Sequence, residues 1–303
     1  MKTRGRLLSS KSAGWKSLIA LIKSVRPKQW GKNLLVFAAP ATGGVLLEPG
    51  PARAATLAFV AFCFASGGTY VVNDFADRDD DRAHPTKRHR PIASGELGDR
   101  TGLAAAIVML AAGIAVAFTV RPALAGIVAG YIAMTIAYTF VLRNLVLIDL
   151  ATIAGGFLLR AIAGGVATDV ELSSWFLMVA SFGSLFIAAG KRHSEFRELG
   201  HFRGDHRRTL SRYTESYLRY IQYSSSTVTI AAYALWAFEG ETGAGGTIWS
   251  SLSVIPFVLA ILRYGLLLDS GQGATPEDVV LSDIALLALG GMWIGLVALG
   301  VYV

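Results

Sequence analysis

The sequence predicts an all-α, polytopic membrane protein, and three observations carry that reading: its composition, the length of its apolar runs, and the side on which its cations fall. Of 303 residues, 53% are hydrophobic and 16% charged, with a mean hydropathy of +0.50. That is more apolar surface than one water-soluble core can bury. Runs long enough to cross a bilayer, roughly 17–25 residues each, recur along the whole chain. About nine transmembrane helices are expected, near residues 33–48, 52–74, 100–119, 122–141, 145–167, 172–190, 217–238, 247–268 and 280–302. Of the 28 Lys and Arg, 25 lie in the N-terminal segment or in and near the loops that follow even-numbered spans. The positive-inside rule then places the N-terminus and those loops in the cytoplasm and the C-terminus outside, in the plasma (inner) membrane.

Residues 1–32 form a basic segment in which Leu18, Ile19, Leu21, Ile22 and Val25 alternate with Lys and Arg. No small-residue cleavage site follows an apolar core, so an interfacial amphipathic helix is expected rather than a cleavable signal. Residues 33–303 are expected to form one transmembrane catalytic domain. Its first span is interrupted by Pro40 and Gly43-Gly44.

The second span runs into NDFADRDDDRAHPTKRHRPIASG, residues 73–95. Charge beside hydrocarbon is costly, so this block is a functional-site hypothesis. If the helix continues, Asp74, Asp77 and Asp81 fall at i, i+3 and i+7 on one face, while Asp79 and Asp80 point elsewhere. Three such carboxylates repel one another unless a cation sits among them, and Mg²⁺ prefers oxygen ligands shared with substrate phosphate. Lys87, Arg88 and Arg90, with His84 nearby, would grip the rest of an anionic substrate. A merely solvated loop has no need of that carboxylate spacing.

The third and fourth spans are apolar and carry no chemistry. In the fifth, Asp149 and Arg160 are eleven residues apart, about three turns, and share a face. They are either structural charges satisfied by neighbouring helices or substrate contacts. Gly67-Gly68, Gly155-Gly156 and Gly164-Gly165 allow close helix approach. The sixth span extends into GKRHSEFREL, where Lys191, Glu195 and Glu198 fall at i, i+4 and i+7 with Arg192 beside them. A face mixing cations and carboxylates can hold metal and phosphate together, whereas an ordinary Glu–Lys pair on a wet surface does neither. Tyr213, Glu215, Ser216, Tyr217 and Arg219 precede the seventh span, as an interfacial belt or as part of the site. Cys63 is the only cysteine, which excludes an internal disulfide and a thiolate metal site. The net charge of +7 is a topology signal and a means of holding anionic lipid or substrate, and nothing points to nucleic acid.

The string formed by Asn73, Asp74, Asp77 and Asp81 resembles the first aspartate-rich motif of the UbiA-type intramembrane prenyltransferase superfamily, and the resemblance covers essentially the whole chain. It implies nine transmembrane helices around a central cavity with cytoplasmic cap loops, and a Mg²⁺-bound diphosphate on the first motif. A second acidic motif is expected after the sixth helix, and here Lys191-Arg192-His193-Ser194-Glu195 stands in its place. With RPKQWGKNLLVFAAP at 26–40, HPTKRHRPIASG at 84–95, and Arg263-Tyr264 with PEDVVLSD at 276–283, that departure is similar to the phosphoribosyltransferase branch of the superfamily. Such enzymes move 5-phosphoribosyl from phosphoribosyl diphosphate (PRPP) to decaprenyl phosphate, on the way to cell-wall arabinan.

The resemblance implies that Asp74, Asp77 and Asp81, assisted by Asn73, hold Mg²⁺ on the diphosphate. Lys28, Lys87, Arg88, Arg90, Lys191 and Arg192 would meet phosphates, Glu195 a metal or ribose, and Tyr213 and Arg160 the substrates. A homo-oligomer, a trimer, is also expected, though no motif specifies it. The competing expectations are a prenyl diphosphate donor with an aromatic acceptor, and a non-enzymatic transporter. Conduction would need polar residues through several spans. A CDP-alcohol phosphotransferase would need a DxxDGxxAR pattern, which the sequence lacks.

Overall fold

The computed structural model describes residues 17–199, 210–239, 247–270 and 276–303, which contain only helices and short turns. The principal helices are α1 (Ala38–Thr42), α2 (Pro49–Ala76), α3 (Arg78–Ala83), α4 (Pro91–Ser94), α5 (Asp99–Val120), α6 (Pro122–Phe140), α7 (Ile148–Thr168), α8 (Ser174–Leu199), α9 (Glu215–Glu239), α10 (Ile248–Asp269), α11 (Pro276–Ser282) and α12 (Ile284–Tyr302). Seven of them, α2, α5, α6, α7, α8, α10 and α12, are long and apolar enough to cross a membrane. Their faces explain the composition. In α5, Val108 and Phe118 are 67% and 62% exposed, and in α12 Ile284 is 82% exposed, so these helices are apolar outwards as well as inwards.

Two of the nine expected spans differ from that description. Residues 33–48 do not form one α-helix. A 3-10 helix, Pro27–Phe37, passes into the short α1 and stops at Gly43. Gly44 turns with φ +75, and the Pro40 carbonyl accepts from the amides of Val45 and Leu46 at 3.1 Å each, which closes the turn. The segment expected at 217–238 is α9, a helix of 25 residues that carries Gln222, Ser224, Ser225, Ser226, Thr227 and Thr229. Its hydroxyls return to the helix's own carbonyls, Ser225 to Ile221 at 2.6 Å and Thr229 to Ser225 at 2.7 Å. Such bonding hides hydroxyls from an apolar surround, and a helix stands where the span was expected although it is less apolar than the seven. The other spans fall within a few residues of expectation. The helix α8 runs on through the GKRHSEF segment, as the extension of the sixth span required.

The described residues divide into two compact units, one holding residues up to Leu34 with Leu57–Phe140, the other Leu35–Thr56 with residues from Val141 onward. In the first, Val71, Ile92, Leu97 and Ala106 form a core with Ala20 and Val25. Gly113 there permits close approach, since a Cβ would lie 2.9 Å from the Ala61 carbonyl. In the second, Leu150, Ala188, Ala189, Leu210 and Leu218 pack together. A Cβ on Gly164 would lie 2.0 Å from the Val36 carbonyl, so only glycine lets α7 meet that backbone.

Candidate active site

Each unit carries one cluster of charge. In the first unit α2 ends at Ala76 and α3 begins at Arg78, with Asp77 between them at φ −92, ψ 5. Helical spacing survives the junction, because the amide of Asp77 donates to Asn73 O at 2.9 Å and that of Asp81 to Asp77 O at 2.8 Å. Two of the three acids, Asp74 and Asp81, turn inward together, while Asp77 is half-buried and its carboxylate accepts from Asn73. Asp74 and Asp81 are 2% and 3% exposed, while the Asp79 side chain is 75% exposed. Asp79 pairs with Arg78 and Arg82, and the Arg78 hydrogen bond holds its pKa below the usual carboxylate value.

The buried acids meet guanidiniums. Asp74 Oδ1 accepts from Arg26 Nη2 at 2.5 Å and from Arg90 Nη1 at 3.1 Å, and the same Arg90 nitrogen reaches Asp81 Oδ2 at 2.7 Å. Asn73 donates to Asp77 Oδ2 at 3.1 Å while its own carbonyl accepts from Thr139 at 3.3 Å. Lys87 and Arg88 are exposed on a 3-10 turn, which His84 braces by accepting from the Thr86 amide at 3.3 Å. Arg78 also bonds Asp99 at the start of α5. Lys28 lies exposed early in the 3-10 helix, two residues after Arg26.

Arg26 is a partner of Asp74 that the sequence motifs do not single out. Its backbone sits at φ 51, a region most side chains avoid, and its guanidinium lies 5.3 Å from the Tyr70 ring centroid. The signal was the Arg-Pro that opens RPKQWGKN, where only Lys28 was singled out.

In the second unit Asp149, in the first turn of α7, is completely buried. It accepts from Arg192 Nε at 2.8 Å and from the Tyr213 hydroxyl at 2.6 Å. Arg192 Nη1 donates to Glu195 Oε2 at 2.6 Å, and the Tyr213 hydroxyl accepts from the Leu147 amide at 2.8 Å. Leu147 is itself in a left-handed conformation, φ 69. Burial, followed by the hydrogen bond to Asp149, raises the Tyr213 pKa, so the phenol keeps its proton and acts as donor. Arg192 is 1% exposed and Tyr213 4%, so both belong to the wall rather than the surface. Glu195 and Lys191 remain partly exposed. His193 approaches Glu215 at 3.4 Å, and Glu215 accepts from Arg219 at 2.8 Å. Arg160, 5% exposed, donates to Gly156 O at 2.6 Å along its own helix. Asp149 is thus hydrogen-bonded by Arg192 of α8 and by Tyr213.

Among the described residues no three His, Cys, Asp or Glu are gathered into a ready metal site. The donor set nevertheless fits Mg²⁺, being carboxylate and amide oxygens alone. Two nearly buried carboxylates need positive charge beside them, which the two arginines supply.

The family model described as the UbiA prenyltransferase family matches residues 35–289. The chain belongs to the UbiA prenyltransferase family. Among UbiA-related proteins, one from Corynebacterium glutamicum named decaprenyl-phosphate phosphoribosyltransferase is 42% identical over 290 residues, 93% of this chain and 87% of that protein. A protein of the same name from Mycolicibacterium smegmatis is 42% identical over 299 residues, 95% and 94% of the two chains. Of solved structures, a UbiA homolog from Archaeoglobus fulgidus bound to DMAPP and Mg²⁺ superposes with a TM-score of 0.71 at 17% identity, covering 93% of this chain and 99% of that one. That likeness establishes the UbiA fold for this polytopic chain, and the sequence expectation of the family holds.

Proposed function

We propose that this protein transfers 5-phosphoribosyl from PRPP to decaprenyl phosphate, yielding decaprenylphosphoryl-5-phosphoribose and diphosphate for arabinan assembly in the cell wall. One observation carries the reading: relatives named for that reaction align over 93–95% of the chain at 42% identity. The cation-rich Lys191-Arg192-His193-Ser194-Glu195 segment supports it further, since PRPP bears a terminal phosphate that a prenyl diphosphate lacks.

An oxygen of the lipid phosphate attacks the anomeric carbon, the bond from that carbon to the diphosphate breaks, and diphosphate leaves with its electron pair. A phosphate monoester is anionic at neutral pH, so no general base is needed. Asp74, Asp77 and Asp81, with Asn73, would hold Mg²⁺, whose chemistry is to neutralise charge growing on the leaving diphosphate. Lys28, Lys87, Arg88 and Lys191 bind phosphate oxygens. Arg192 acts one step removed, fixing Glu195 for its contact with the ribose. Tyr213 and Asp149 fix Arg192 in turn. The reaction takes place on the cytoplasmic side of the plasma membrane, where PRPP is available.

The test is transfer by the purified protein in liposomes, with labelled PRPP and decaprenyl phosphate in one arm and a labelled prenyl diphosphate with an aromatic acceptor in the other. Label is expected in lipid only in the first arm, and excess EDTA is expected to stop it. Transfer confined to the second arm refutes the proposal.

A further inference from the structure

We propose that Arg26 and Arg90 are internal counter-ions which the buried carboxylates release only when a diphosphate arrives to receive them, so that the site takes up metal and diphosphate together. The inference rests on the reading of Asp74, Asp77 and Asp81 as a Mg²⁺–diphosphate site and adds a rule for how that site fills.

Three observations carry it. First, Arg90 Nη1 lies 3.1 Å from Asp74 Oδ1 and 2.7 Å from Asp81 Oδ2, so it occupies the position that any cation bridging those two acids requires. Second, Arg26 adds a bond to the same Asp74 oxygen at 2.5 Å and is held there from a left-handed backbone, φ 51, with its guanidinium over Tyr70. Strained conformations of this kind persist where a fixed position serves the site. Third, the acids are almost fully enclosed at 2% and 4% side-chain exposure, but the Arg26 and Arg90 side chains are 29% and 26% exposed. The acids are therefore fixed and the guanidiniums keep a route outward.

Charge decides the order of events. Two carboxylates and two guanidiniums, Asp74 and Asp81 with Arg26 and Arg90, balance one another across short hydrogen bonds. A divalent cation entering alone meets two positive groups, and expelling them forfeits charge-assisted bonds without replacement. A diphosphate offers both guanidiniums new acceptors. Arg26 and Arg90 then turn from carboxylate to phosphate, and the vacated Asp74 and Asp81 oxygens become available for metal. The arginines thereby couple the two ligands, and coupling of this type is reciprocal. The same device keeps the enclosed carboxylates neutralised between turnovers, which guards against unproductive capture of free metal.

Equilibrium dialysis of the full-length protein in detergent, with radiolabelled Mn²⁺ and radiolabelled pyrophosphate at known free concentrations, reads the coupling without any turnover. In the wild type, pyrophosphate is expected to tighten Mn²⁺ binding by about tenfold or more, within the range usual for coupled sites. Arg90→Gln is expected to tighten Mn²⁺ binding in the absence of pyrophosphate, also by about tenfold, and to shrink the enhancement. Arg90→Lys, which keeps the charge, should leave Mn²⁺ alone as weak as in the wild type, and Arg26→Gln should act in the same direction as Arg90→Gln. Equal Mn²⁺ affinity with and without pyrophosphate in the wild type overturns the inference, and so does an Arg90→Gln protein whose Mn²⁺ affinity alone is unchanged. Failure of both ligands to bind the wild type under any condition overturns instead the metal–diphosphate reading beneath it. Because bound metal and diphosphate attract one another without any arginine, the variants decide the matter, and Arg26→Gln supplies the comparison if Arg90→Gln does not fold.

Discussion

Replacing Asp149 by Ala tests the wall of the second cluster. The substitution leaves Arg192, 1% exposed, with Glu195 as its remaining described carboxylate and deprives the Tyr213 hydroxyl of its acceptor. Breaking one side of a buried ion pair costs about 3–5 kcal/mol, and a stranded hydroxyl about 1–3 kcal/mol. Because the two share one carboxylate, the losses overlap, and a total on the order of 4 kcal/mol is expected. At roughly 2–4 °C per kcal/mol for a chain of comparable size, the apparent Tm in detergent should fall by on the order of 10 °C. The double variant Asp149→Leu, Arg192→Met should regain most of that, because an apolar pair of similar volume needs no partner. Its transferase activity should stay low, since Glu195 would have lost the guanidinium that orients it. Thermal unfolding followed by tryptophan fluorescence supplies the first measurement and lipid-product formation the second. A single variant that loses less than about 1 kcal/mol, or a double variant that loses the sum of the two singles, refutes the network.

Three further outcomes are expected. Asp74→Ala, Asp77→Ala and Asp81→Ala should each lower turnover at least ~10²-fold, about 2.7 kcal/mol of transition-state stabilisation, with Asp79→Ala and Asp80→Ala milder because both side chains face solvent; equal losses at all five in an initial-rate assay would mean that only total charge matters. Gly164→Ala should cost about 1–3 kcal/mol or prevent folding, its Cβ falling 2.0 Å from Val36 O, whereas Gly126→Ala has nothing within 4 Å and should be harmless; size-exclusion profiles and Tm of the two variants check this, and matching wild-type values for both would contradict the close approach. Asp283 caps α12 through the Leu286 amide and pairs with Arg263 at 2.7 Å, and the Arg263 hydrogen bond lowers its pKa. A depressed folded pKa means the contact stabilises above the unfolded value, ~3.9, and is lost as pH falls through the folded one, so Tm curves of the wild type and Asp283→Ala should lie apart at neutral pH and converge below about pH 4; a constant gap would show that the charge contributes nothing.

Local pattern was legible, and long-range pairing was not. The helical spacing was enough to separate the inward Asp74 and Asp81 from the exposed Asp79 and Asp80, because a helical phase survives a one-residue interruption at Asp77 when the i to i−4 amide bonds continue across it. Apolar runs located the seven helices apolar enough to cross and also α9, whose hydroxyls bond its own backbone, whereas the stretch through α1 breaks at the Gly43-Gly44 turn. Arg192 stood beside Lys191 as an equivalent cation in the sequence. The structure separates them: a residue 43 positions away in the chain, Asp149, claims Arg192. The same holds for Arg26 and Asp74, 48 positions apart. Whether a cation meets substrate or an internal carboxylate depends on which element folds against it, and charge density alone carries no information about that. For Arg26 the decisive feature is a single left-handed residue between a helical stretch and a 3-10 helix, a backbone detail that the Arg-Pro step permits but does not dictate.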